Sequence, residues 1–205
     1  MDPKKVAHEV RDVSSGVRLF TDWARSPDRF LAFRGQANLN WEVLPQVLRP
    51  DLGVAAHEDE LVRELISLHP AEFPTDTSMF DKLVRMQHFA LPTRLLDVTV
   101  NPLVALYFAT DEDPRDTGAD GAIIVFDGPN TRRKYFDSDT VSCIANLSNL
   151  SIEERDLIEK TKATTIPEFN RLHAVDRLLQ FIRVEKPYLK ERIVRTDLFK
   201  PNYVV

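Results

Sequence analysis

Residues 86–109 read MQHFALPTRLLDVTVNPLVALYFA, and how this stretch is taken decides the fold. Gln87-His88, Pro92-Thr93-Arg94, Asp97 and Thr99 sit between two strongly apolar segments. Polar groups of such variety, squeezed between core-forming residues, mark a site more often than a surface. The apolar set Phe80, Leu83, Val84 and Met86 has helical spacing, Asp76 or Thr77 can cap it, and Pro92 stops it. Thr93–Leu96 is then a short strand or an extended turn. Asn101-Pro102 supplies an N-cap and a proline at the first helical position. The helix it opens, Leu103 to Ala109, is fully apolar and so expected to be buried. The nearest comparable stretch lies upstream. The apolar run Phe30–Phe33 predicts a buried strand, and it ends in Arg34-Gly35-Gln36. Arg34 then sits at the edge of the core, where Gly35 allows close approach of backbone or ligand. The two stretches are expected to meet and to face one pocket.

Working outward, Val17, Phe20 and Trp23 fall at helical spacing behind Ser14 or Ser15 as cap, with a turn at Ser26-Pro27-Asp28. Glu58–Leu68 is a helix with acidic residues in its first turn. Gly121–Phe126 is the clearest strand in the chain, continuous enough to be central. Ser138 to Leu147 is helical, and Ser151 with Glu154 forms a capping box that opens a helix to about Lys162. Thr165 or Pro167 begins the longest helix, running through Leu172 and Ile182 to about Lys186. Arg192-Ile193-Val194 reads as a last strand, and the apolar end Tyr203-Val204-Val205 calls for a paired one. The fold class is α+β, a small, mostly antiparallel sheet surrounded by helices. An arm and helix over residues 1–29 precede one domain over 30–205.

The chain has 205 residues, 43% hydrophobic and 29% charged, with a net charge of −5. That balance gives no global electrostatic reason to bind nucleic acid. A single cysteine, Cys143, excludes an internal disulfide framework and reads as a small buried hydrophobe in a reducing cytosol. No stretch approaches the ~20 apolar residues of a membrane span, and the charged start lacks a secretory h-region; a cytoplasmic location is expected. Phosphate loop, dinucleotide fingerprint and nucleophile elbow are all absent, and the scattered histidines predict no metal.

What remains is the polar set of the opening stretch. Arg34 can hold a phosphate or carboxylate bidentately, or pair internally with a carboxylate such as Asp97. His88 is an acid–base group or ligand donor, or a hydrogen-bonded core residue. Arg94 binds an anion or braces its turn. Asp97 and Thr99 orient a ribose, or Thr99 caps the following helix. Trp41 stacks on a planar ligand or fills the core.

These residues also carry a family resemblance. Phe33-Arg34-Gly35-Gln36, WEVLPQVLR at Trp41–Arg49 and the stretch quoted above look like the FRG domain, named for its Phe-Arg-Gly motif. DGAIIVF at Asp120–Phe126, SDTVSCIANLSNLS at Ser138–Ser151 and LLQFIRVEKPYL at Leu178–Leu189 extend the likeness from about Phe30 to the C-terminus. Such proteins are bacterial or phage-borne, and many sit in toxin–antitoxin or phage-defence contexts. The domain is similar in turn to the ADP-ribosyltransferase fold, in which an Arg-Gly strand holds NAD and a Ser/Thr strand runs into an Ala-rich helix. Phe33-Arg34-Gly35 matches the first, and Asp97-Val98-Thr99 followed by Ala105–Ala109 matches the second. The resemblance implies an NAD-dependent transferase acting as a toxin or defence effector. Arg34, His88, Asp97 and Thr99 would be catalytic, and Arg34, Gly35, Gln36, Gln87, Thr93 and Arg94 would bind NAD. Its partners would be an antitoxin and a protein, RNA or DNA target. The alternative is a non-catalytic nucleotide- or partner-binding module, one that acts on nucleic acid in a further version. The chain departs from the family at Ala90, where Gly is usual after Gln-His-x, and at Val98, where Trp is common. It also stops after Asp197–Pro201, where family members run on into a segment with the third catalytic Glu or Gln. Glu168 and Glu185 are the carboxylates on hand for that role.

Overall fold

The computed structural model describes residues 7–23, 29–111, 114, 117–190 and 192–205. The turn expected at Ser26-Pro27-Asp28 lies outside them. In chain order the elements are α1 (Val13–Trp23), β1 (Arg29–Gln36), α2 (Glu58–Leu68), α3 (Met79–His88), α4 (Pro102–Thr110), β2 (Ala122–Pro129), β3 (Arg133–Lys134), α5 (Asp139–Asn146), α6 (Ile152–Lys160), α7 (Ile166–Asn170), α8 (His173–Glu185), α9 (Arg195–Leu198) and β4 (Tyr203–Val204). The class is α+β. The chain divides into two compact units, each made of two separate stretches: Met1–Val43 with Leu96–Arg133, and Leu44–Leu95 with Lys134–Val205.

The first unit is built on β1. Its residues pair antiparallel with β2 from Arg29↔Pro129 to Gln36↔Ala122. On its other edge, Phe33 N–H donates to the Thr99 carbonyl at 2.7 Å and Thr99 N–H to the Phe33 carbonyl at 2.8 Å. The central strand is therefore β1 and not the 121–126 run, whose strand β2 has β1 as its partner among the described residues. Strand alternation turns Phe33 and Gly35 to one face. There Phe33 packs edge-to-face on Phe20, with ring centres 5.9 Å apart, and joins Ala105 of α4 in a small core. Asp12 holds the start of α1, accepting the Ser15 N–H at 2.8 Å. The cap therefore precedes Ser14 and Ser15, and those two lie inside the first turn.

Two glycines seat α4 on this hairpin. A Cβ at Gly35 would stand 1.8 Å from the Ala105 carbonyl oxygen, and one at Gly121 would stand 1.8 Å from that of Ala109. The helix backbone thus rests directly on the strands. So narrow a seat covers one side only: Ala105 is buried, but Leu103, Val104, Tyr107 and Phe108 are exposed, Tyr107 at 65%. The expectation of a buried helix fails here. A helix apolar all round needs partners all round, and a two-stranded sheet covers too little of it.

The second unit is helical. Its α5 is the divider: Ala145 joins Leu83 and Met86 of α3 in one core, while Cys143, with Leu147 just past the helix end, joins Leu178 and Ile182 of α8 in another. Ser78 caps α3 in a capping box with Asp81. Asp76, the expected cap, is instead held by Arg85, whose Nη2 donates to it at 2.8 Å; that hydrogen bond draws the Asp76 pKa down. Ser151 and Glu154 box the start of α6, as the sequence predicts. Thr165, one of the two residues expected to begin the next helix, caps α7 in a box with Glu168. The longest predicted helix is broken, however, because Leu172 is extended between α7 and α8. At the break the Asn170 side chain exchanges two 2.9 Å bonds with the backbone of Ile193. Residues 192–194 are accordingly not a strand, since a side chain takes the place of a neighbouring strand. At the far end β4 pairs, with the Val205 N–H donating to the Lys134 carbonyl at 3.0 Å.

α3 ends at His88, before the proline expected to stop it. Ala90 N–H donates to Gln87 and Leu91 N–H to Met86, both at 3.0 Å, which is the Schellman closure. That closure forces Ala90 to φ +60°, the left-handed region that costs a residue with Cβ about 1–2 kcal/mol. Ala90→Gly is expected to stabilise the protein by about 1 kcal/mol, raising the thermal midpoint by about 2–4 °C. A calorimetric scan checks this, and a lowered midpoint would refute the motif.

Candidate functional site

In the first unit the strand face opposite α4 carries Arg34 and Gln36, two residues apart. Arg34 Nη1 donates to the Asp97 carbonyl at 2.9 Å, so the guanidinium meets backbone at the exposed Asp97. Thr99 is held twice: its backbone bridges Phe33, and its Oγ1 accepts the Asn101 N–H at 3.0 Å. The helix cap itself is Asn101, whose Oδ1 accepts the Leu103 N–H at 3.0 Å. Gln36 is buried, and its Nε2 donates to the Asn38 and Trp41 carbonyls at 3.1 and 3.0 Å. It clamps the loop that carries Trp41, which is neither core nor fully open at 38% exposure. Arg34, Gly35, Gln36, Asp97 and Thr99 are thus together, because the Phe33–Thr99 bridge sets the two motifs side by side.

The remaining candidates belong to the second unit. His88 is exposed at the last position of α3. Gln87 Oε1 accepts from Thr93 Oγ1 at 3.4 Å, and Thr93 Oγ1 also accepts the Leu95 N–H at 3.3 Å. Arg94 makes a fork on Glu58, Nε to Oε1 at 2.9 Å and Nη2 to Oε2 at 2.6 Å. Arg155 Nη1 joins the same carboxylate at 2.6 Å, and its Nη2 donates to the Ala55 carbonyl at 2.6 Å. The Glu58 side chain is 2% exposed, against 12% and 13% for the two arginines. Of the two roles open to Arg94, bracing its turn is the one its bonds perform. Burial lowers the Arg155 pKa, and the Glu58 charge opposes that. Sequence reasoning missed this triad: Glu58 reads as an ordinary first-turn acid, and no spacing links it to Arg94 or Arg155.

Both carboxylates considered for a third catalytic position have structural work. Glu168 takes the Thr164 and Thr165 N–H groups, each at 3.2 Å, and these bonds lower its pKa. Glu185 Oε2 accepts the Met79 N–H at 2.6 Å, pinning the end of α8 to the start of α3, and its Oε1 accepts from Asn146 at 3.2 Å. Cys143 is a core residue, its thiol pushed up to about 12 by burial. Among the described residues no cluster of His, Cys, Asp and Glu could hold a metal ion, and no helix is long and apolar enough to cross a membrane.

No curated protein and no solved structure matches this chain. A family model does match, beginning at the first residue of β1 and running past α4. Over residues 29–117 the chain matches the model of the FRG domain, a span that holds the Arg34-Gly35-Gln36 strand end and the stretch from Gln87 to Thr99.

Proposed function

We propose that this protein is an NAD-dependent, ADP-ribosyltransferase-like effector, of the toxin or phage-defence kind, with its site on the face of β1 that carries Arg34. One observation supports the reading above the rest: the Phe33–Thr99 bridge joins Arg34-Gly35 to Asp97-Val98-Thr99, the two motifs whose pairing the transferase resemblance requires. Arg34, oriented by the Asp97 carbonyl, anchors the dinucleotide through charge-assisted bonds, and Thr99 stands one strand away to hold a ribose. The bond from ribose C1′ to the nicotinamide nitrogen breaks, nicotinamide leaves with the electron pair, and a target nucleophile adds at C1′ and sheds its proton. The protein's part is to position the ribose and stabilise the cationic state between.

Titration calorimetry with NAD, together with nicotinamide release in the presence of cell lysate, tests this. Arg34→Ala is expected to weaken NAD binding about 10- to 100-fold, as loss of one or two charged hydrogen bonds does, without changing the thermal midpoint. Neither binding nor nicotinamide release in the unaltered protein would end the proposal.

A second reading, a nucleotide- or partner-binding module without catalysis, is favoured by the engagement of Glu168 and Glu185 in helix caps. It predicts NAD binding with no nicotinamide release, and cellular activity that survives Arg34→Ala with His88→Ala.

A further inference from the structure

A cleft in the second unit lies outside the FRG segment and takes no part in the function proposed above. It holds about 430 Å³, inside the range of small-molecule sites. Its floor is apolar, made by Cys143, Ile193 and Leu198, with Val194 and Leu189 on the walls. Charge is gathered at its mouth. Lys186 donates to the Asp137 carbonyl and to Asp139 Oδ1 at 3.0 Å, so that lysine and Asp139 offset one another. Lys190, Arg192 and Asp197 remain. The two cations are exposed, and among the described residues their side chains have no hydrogen-bond or ion-pair partner. Among the described lining residues two cations stand against one carboxylate, a positive excess in a chain whose net charge is −5, so the attraction for anions is local to this cleft.

We propose that this cleft binds a small organic anion, a phosphate or carboxylate carried on an apolar body. The body fills the floor, where Cys143, Ile193 and Leu198 offer surface and no competing polar group beyond a thiol. The anionic head meets Lys190 and Arg192, the arginine able to grip it bidentately. Asp197 and the Thr140 hydroxyl, also on the lining, select against a second anionic group and accept from or donate to a hydroxyl on the body.

The full chain is titrated calorimetrically with phenyl phosphate, benzoate, inorganic phosphate and benzylamine. Saturable binding of phenyl phosphate or benzoate at one per chain is expected, at least tenfold tighter than inorganic phosphate or benzylamine. In Lys190→Glu with Arg192→Glu the affinity should fall at least tenfold while the thermal midpoint stays put, both residues being exposed. Absence of saturable binding by both aromatic anions would overturn the proposal. So would binding unchanged in the double variant, or equal binding of benzylamine or inorganic phosphate.

Discussion

Gly35→Ala will cost the protein at least about 3 kcal/mol of stability, the upper end of overpacking effects. The added methyl would meet the Ala105 carbonyl oxygen at 1.8 Å, and the Ala105 carbonyl carbon and Ala109 nitrogen at 2.8 Å each. All three are backbone atoms of α4, which no rotamer change can move aside. The helix must lift, opening the core of Phe20, Phe33 and Ala105. Two companion variants make the test sharp. Gly121→Ala should act in the same direction through the Ala109 carbonyl, and Ala105→Gly should fail to rescue Gly35→Ala because the obstructing atom is not a side chain. Urea unfolding reads each of these. A Gly35→Ala protein with an unaltered midpoint would show that α4 does not rest on β1 as described.

Glu58→Gln will be nearly as damaging, for an electrostatic reason. The carboxylate answers two guanidinium groups, Arg94 and Arg155, in a site where all three side chains are at least 87% shielded from water. Removing one partner of a buried pair costs about 3–5 kcal/mol, because the charge left behind has lost both its partner and its water. The slight access of water to both arginines sets the expectation near 3 kcal/mol, or roughly 6–12 °C in the thermal midpoint. The same principle gives a contrasting outcome. Replacing all three residues together, Glu58→Met, Arg94→Leu and Arg155→Met, should be far milder than Glu58→Gln alone, since no charge is then stranded. A triple variant as unstable as the single one would mean that packing, not charge, sets the cost.

The sequence made local chemistry legible and tertiary distribution much less so. The capping box at Ser151 and Glu154 was readable because both partners lie within one turn, and the strand at Phe30–Phe33 because its apolar run is continuous. The meeting of Arg34 with Asp97 and Thr99 could be read through the resemblance. The Glu58 triad could not, because its members are isolated in sequence and no periodicity joins them. Helix ends were the weakest point. The Pro92 signal is real, but Ala90 adopts a conformation that sequence rules assign to Gly or Asn, so the stop comes earlier than the rules expect. The departure from the family's usual glycine was visible at that position, while its backbone consequence was not. Apolar runs misled twice in the same direction: Gly121–Phe126 suggested a central strand and Leu103–Ala109 a buried helix. Hydrophobicity reports what a segment can bury, and the number of neighbours decides what it does bury.

The pairing of β1 with β2 also bears on how the chain can acquire its fold. Every β1 residue has its ladder partner in β2, and the whole of α2, α3 and α4 is synthesised between the two strands. Closing so long an excursion is entropically costly and slows folding, so the β1–β2 pairing is expected to form slowly. A polypeptide cut to the FRG match ends at residue 117, ahead of β2, and would leave β1 with only Thr99 beside it among the described residues. The span that matches the family model is therefore shorter than the span that holds both strands of the sheet, and fragments for study should be cut beyond Pro129 at the least.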